Sequence, residues 1–172
     1  MRLLLKALGI LLLVIVCAVG VMFIMGARLP VEHVASASTT VAAPQTRVWQ
    51  LIEDVDKQPA WRTGLLRVER VSAVNGRRCW TEVQKHMNMP LCEVIVEPPS
   101  TRVVTIDSAT LPFGGTWTYE LQPSDASSTH LVITENGTTN PALFRFIGHY
   151  IYHEDTMIKQ YEADLQKAAA KP

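Results

Sequence analysis

Hydrophobic and polar positions divide the chain into an unbroken apolar block and a finely patterned remainder. From Ala7 to Ala27, 21 consecutive residues carry no charge and are rich in Leu, Val and Ile. As a helix rising about 1.5 Å per residue, this run covers roughly 30 Å, the thickness of a bilayer's hydrocarbon core. Two readings compete, a retained anchor and a cleaved signal peptide. A signal's apolar region spans about 7–15 residues and is followed closely by small residues. Here the run is longer, and the nearest Ala-x-Ala pattern, Ala35-Ser36-Ala37, falls inside the first expected strand. Cys17 follows Ile15-Val16 rather than small residues, which argues against lipid attachment. The pattern predicts an uncleaved transmembrane helix over about 7–27, within an anchor of residues 1–30, and a folded domain over 31–172.

Beyond the block the period changes. Glu32 to Ala43 has no helical stripe and reads as a strand ended by Pro44. Pro44 suits the first turn of a helix over Gln45 to Asp54, in which Val48, Leu51, Ile52 and Val55 recur at helical spacing, with Trp49 beside them. Pro59-Ala60-Trp61 is a break or short turn. Six strand-like runs follow: 65–74, 77–85, 91–97, 101–108, 116–122 and 129–136. The first two flank Asn75-Gly76, a dipeptide that favours a type I′ hairpin because both residues tolerate positive φ. Strands at short spacing without intervening helices indicate an antiparallel meander. Asn140-Pro141 then opens a long final helix, with Phe144, Ile147, Ile151, Ile158, Tyr161 and Leu165 three, four or seven apart. The expected fold class is α+β: a curved antiparallel seven-stranded sheet around a long C-terminal helix, preceded by one transmembrane helix. Such a sheet and helix enclose an elongated apolar space.

Charge adds direction to this picture. The totals cancel, with 16 basic and 16 acidic side chains, but the first 27 residues hold only Arg2 and Lys6. What remains is faintly acidic, which excludes the basic excess of a dedicated nucleic-acid binder. Arg2, Lys6 and the amino terminus flank one side of the apolar run, and Arg28 and Glu32 the other. The positive-inside tendency places the N-terminus in the cytoplasm and the domain on the extracytoplasmic side of the membrane, as a single-pass protein. In an oxidising compartment Cys79 and Cys92, on neighbouring expected strands, could pair, although sequence does not fix their register.

The order and spacing of local motifs resemble the SRPBCC superfamily, which includes START-type lipid-binding domains and polyketide cyclase/dehydrase-like proteins. The residues that carry the likeness are TTVAAPQTRVWQLIEDVDKQPAW (39–61), FGGTWTYEL (113–121) and THLVITENGTTNPALFRF (129–146). The resemblance covers about residues 33 to 168. It implies a helix-grip fold with a cavity for apolar ligands, but it spans carriers, cyclases and hydrolases, so fold is better specified than function.

Candidate lining residues follow from this architecture. Trp80, Val104, Ile106, Trp117 and Tyr119 stand on strands of the sheet, where aromatics are more often plain core than pocket lining. Phe113 sits in the Leu111–Gly115 connection, whose composition suits a pocket rim or, almost as well, an ordinary turn. Ile147, Ile151, Glu154 and Ile158 form the helical stripe expected to face the cavity. Glu154 could orient a ligand's polar end or act as an acid or base; alternatively it bends from the stripe's edge into water. His149 and His153 lie four apart, and the bland reading of a solvated helix face outweighs metal binding because no Cys or His-Glu-x-x-His motif accompanies them. Met87-Asn88-Met89-Pro90 forms a tip suited to apolar contact. Asn136-Gly137-Thr138 matches a glycosylation sequon, although Asn-Gly more simply ends a strand. No phosphate loop, nucleotide fingerprint or catalytic triad signature is present. No catalytic residue, metal or cofactor is expected.

The preferred expectation is therefore a membrane-anchored binding protein for a hydrophobic small molecule or lipid, with no nucleic-acid partner. Two others remain open. One is a cyclase- or hydrolase-type enzyme using Glu154 or a histidine; the other is an interaction domain whose cavity is filled by side chains. Converging titratable groups inside the cavity would favour the enzyme, and a collapsed interior the interaction domain.

Overall fold

The computed structural model describes residues 2–153 and 155–171. The apolar block forms helix α1, Arg2–Arg28, the one described helix long and apolar enough to cross a membrane. Its side chains face outward along almost its whole length; only Gly26 is buried, and Met22, one turn earlier on the same face, is half-buried.

Strand β1, Glu32–Val41, is followed by helix α2, Gln45–Glu53, and a 3-10 turn, Val55–Ala60. Strands β2 (Leu65–Arg70), β3 (Cys79–Gln84), β4 (Asn88–Glu97), β5 (Thr101–Ile106), β6 (Phe113–Asp125) and β7 (Ser128–Thr139) complete one antiparallel sheet. The spatial order is β1-β7-β6-β5-β4-β3-β2, so every neighbour except the β1–β7 pair is joined by a hairpin. Asn75 and Gly76 both take positive φ, 52° and 77°, with Val74 bridged to Arg77, as the dipeptide predicts. The β6–β7 hairpin is tighter than expected: pairing continues to Asp125 and Ser128. Strand β7 also runs on through Asn136-Gly137 to Thr139, so the Asn-Gly pair does not end it.

The C-terminal helix departs from the single rod that the stripe implied. It is broken into α3 (Ala142–Ile147), a π-helical segment (Gly148–Tyr152) and α4 (Thr156–Ala169). His153, with φ 58°, interrupts the run between them. A π turn and a break each shift the angular phase of later residues, so the spacing Ile147, Ile151, Ile158 no longer defines one face. Ile158, Tyr161 and Leu165 of α4 are buried, whereas Ile151 is exposed.

The interior is packed at one end. There α2 and α4 bury Val48, Ile52, Ile158 and Leu165 against Val41, Leu121, Leu131 and Ile133 of the sheet. Full burial of each such side chain contributes about 1.5–3 kcal/mol. Arg102 of β5, almost fully buried, ties the sheet to α2: it donates to the Ile52 carbonyl and, at 2.8 Å, to Glu93. Gln58 donates to the same carbonyl at 2.8 Å, so the end of α2 is closed by side chains from two elements. Cys79 and Cys92 lie directly opposite in the β3–β4 register, Cα atoms 4.1 Å apart, and are joined by a disulfide. Asp107 lies beside this bridge, but with the two sulfurs bonded to each other no thiolate remains for a metal there.

Candidate ligand-binding cavity

Alternate residues of a strand face one side, and paired residues across an antiparallel ladder share that side. The register sets Glu82 opposite Met89, Leu91 opposite Ile106, Val104 opposite Trp117, and Trp117 opposite Glu135. All belong to the concave face. At the end away from α2 this face is not covered by packed helix, and it bounds a cavity of about 670 Å³. The sheet supplies Met89, Leu91, Val104, Ile106, Phe113, Trp117 and Tyr119 as apolar walls. Phe144, Gly148, Tyr152 and Met157 line it from the helical side, and Leu29 and Pro30, just beyond α1, complete the lining.

Five of the residues expected from sequence therefore line the cavity: Val104, Ile106, Phe113, Trp117 and Tyr119. The rest of that set is placed differently. Trp80 faces the same side but sits in the packed end, its ring under the Arg102 guanidinium at 5.2 Å. Ile158 is wholly buried in the core. Ile147, the last residue of α3, and Ile151, within the π segment, are not among the lining residues. Glu154 lies outside the described residues. His149, on the π segment, and His153, where the helix is interrupted, also border the cavity.

The polar groups of the cavity come mostly from positions that sequence reasoning passed over. Arg62 follows the 3-10 turn and reaches Glu82 of β3 through two bonds, Nη1 to Oε1 at 2.5 Å and Nη2 to Oε2 at 3.0 Å. Gln58 accepts a further bond from Arg62 Nη1 at 2.7 Å. Burial pulls the guanidinium's pKa down, but the charge and hydrogen bonds of Glu82 outweigh it and hold Arg62 above its ordinary value. Alternation carried the one usable signal: Glu82 follows Trp80 by two residues and must share its inward face. Arg62 had none, because the geometry of the turn before it decides where the side chain goes.

Behind the ion pair stands an aromatic cluster. Tyr161 of α4 lies 5.5 Å from the rings of Trp61 and Tyr119 and 6.2 Å from Trp117, with the Arg62 guanidinium 5.1 Å from its centroid. Desolvation pushes the Tyr119 hydroxyl up to about 12 and Tyr161 well above 10, against the pull of Arg62, so both phenols stay neutral. A second polar pair, His33 and Glu135 at 3.8 Å, lies on the β1–β7 wall. His33 is opposite Gly137, and a Cβ there would sit 2.4 Å from the imidazole, so the glycine lets the ring lie on the strand.

The family profile described as "Polyketide cyclase / dehydrase and lipid transport" matches residues 32–171. The chain belongs to this family. Solved structures show the same fold. A START superfamily protein from Mycobacterium smegmatis superposes with a TM-score of 0.64 at 13% identity, over 80% of this chain and 97% of that one. The Zhui aromatase/cyclase from Streptomyces sp. R1128 gives 0.63 at 14%, over 80% and 93%. Norcoclaurine synthase from Thalictrum flavum gives 0.64 at 12%, over 87% and 92%. At such identities the likeness establishes the helix-grip fold and not a shared activity. No curated protein sequence matches significantly.

Proposed function

We propose that the protein is a membrane-anchored receptor for a largely apolar molecule with one polar end. The apolar body fills the space between the sheet and the C-terminal helical segments, and the polar end meets Arg62 and Glu82. The supporting observation is a bidentate ion pair set into an otherwise mainly apolar cavity of about 670 Å³. Apolar burial supplies affinity at about 25 cal/mol per Å², and a few fixed polar groups supply orientation. Taking two charges out of water costs several kcal/mol per ion, so such a pair is a poor device for stability alone. A role in recognising the ligand accounts for its position.

Residues 1–30 act as the anchor and 31–172 as the binding domain in this reading. The flanking charges of α1 and the Cys79–Cys92 disulfide both support an extracytoplasmic domain. The direct experiment is native mass spectrometry of the full chain in mild detergent. A bound lipid-like species is expected. A protein that is empty, and that also ignores a panel of fatty acids and isoprenoids, rejects the reading.

A second reading, a cyclase-type enzyme, is favoured by one observation: Arg62, Glu82, Tyr119, His33 and Glu135 all border a single cavity. Against it, both oxygens of Glu82 are already occupied by Arg62, and burial keeps Tyr119 protonated. Recovery of the bound molecule unchanged after prolonged incubation separates carriage from turnover.

A further inference from the structure

The anchor does not simply end where the domain begins. Its last turn is docked on α3: a Cβ at Gly26 would lie 1.9 Å from the Ala142 carbonyl oxygen and 3.1 Å from Phe146 Cβ. Arg145 donates through Nε to the Gly26 carbonyl at 3.0 Å. Gly26 is two residues from the end of α1, about 3 Å along its axis. If α1 spans the bilayer, α3 is held at the boundary between acyl chains and headgroups. From α3's first turn onward the chain exposes large apolar side chains: Phe144 is 47% exposed, Tyr150 48%, Ile151 54% and Tyr152 66%. Aromatic residues with one polar end are the type that settles at this depth. Phe144 and Tyr152 also border the cavity, together with Leu29 and Pro30 at the end of the anchor. The π segment and the break at His153 separate this stretch from the rigidly packed α4.

We propose that residues 144–152 lie in the interfacial layer of the bilayer and form a gate through which the cavity opens directly to membrane lipid. The occupant of the exposed apolar face is the bilayer itself, placed there by the clip between Gly26 and α3. The ligand then passes between membrane and cavity without crossing water. This deepens the receptor reading and rests on it.

The test uses the full chain in vesicles of phosphatidylcholine and phosphatidylglycerol, comparing Tyr152→Trp with the unsubstituted protein. The added indole is expected to emit to the blue of an indole in water. It should also lose most of its emission when the phosphatidylcholine carries bromine near the top of the acyl chains. Gly26→Leu, which undocks α3, should abolish that quenching while the native tryptophans keep their emission. An added tryptophan that emits as in water and ignores the brominated lipid overturns the gate. So does a blue-shifted but unquenched signal that depends on protein concentration, which would mean that a second copy covers the segment. Bound small molecules are extracted from the same vesicles. Ligand present without quenching overturns the gate and leaves the receptor reading intact. Quenching with an empty cavity supports the membrane seat and overturns the receptor reading.

Discussion

Arg62 and Glu82 meet through two guanidinium nitrogens on two carboxylate oxygens, at 2.5 and 3.0 Å, deep in a cavity whose other walls are mainly apolar. Neither partner can be removed alone without stranding the other. Glu82→Leu or Arg62→Met is expected to cost about 3–5 kcal/mol, read as a lowered urea midpoint, because an uncompensated charge stays buried. The double variant Arg62→Met/Glu82→Leu should recover most of that stability and yet lose discrimination between ligands with and without a polar end. A double variant as unstable as the singles would mean that the pair holds the fold together rather than the ligand.

The β3–β4 disulfide gives a simpler chemical expectation. The chain contains three cysteines, and Cys17 is the one left free. Under denaturing, non-reducing conditions, thiol titration of the full chain should find one reactive sulfhydryl per molecule, and three after reduction. Replacing both Cys79 and Cys92 by Ala should cost about 3 kcal/mol, the loop-closure value for a cross-link of this separation. Three free thiols in protein exported to an oxidising compartment would contradict the pairing.

What sequence could and could not show is visible in two isoleucines of the C-terminal region. Strand alternation, the Asn75-Gly76 turn and the apolar block are local properties, and each placed its element correctly. Seven-residue spacing put Ile151 and Ile158 on one stripe, but spacing carries phase only while the helix is continuous. The π segment and the positive φ of His153 reset that phase, and neither leaves a trace in the hydrophobic spacing. The cavity's apolar walls were legible from the sheet because register follows from hairpins. Its polar floor was not, because Arg62 is delivered by a turn rather than by a periodic element. Ile158→Ala should therefore destabilise the protein by about 2–5 kcal/mol, as expected for a fully buried aliphatic side chain. Ile151→Ala should stay within about 0.5 kcal/mol, the usual range for an exposed position. Equal losses on urea unfolding would restore the continuous helix.

The buried phenols predict a loss of stability in alkali. Tyr119 is raised from 10 to about 12 in the folded protein by desolvation, and Tyr161 moves in the same direction for the same first cause. The folded state therefore keeps protons that the unfolded chain releases. Their contribution is complete below about pH 10 and is lost as pH rises toward and through the folded values. For Tyr119 alone the loss amounts to about 3 kcal/mol once both states are ionised. Urea midpoints compared at about pH 9 and about pH 11.5 should fall more steeply for the parent than for Tyr119→Phe, which has no proton to lose. Arg62, held above its ordinary value by Glu82, stays charged over this range, so its pull is present at both pH values. Parallel declines in the two proteins would show that the Tyr119 hydroxyl already titrates in the folded state as it does in water.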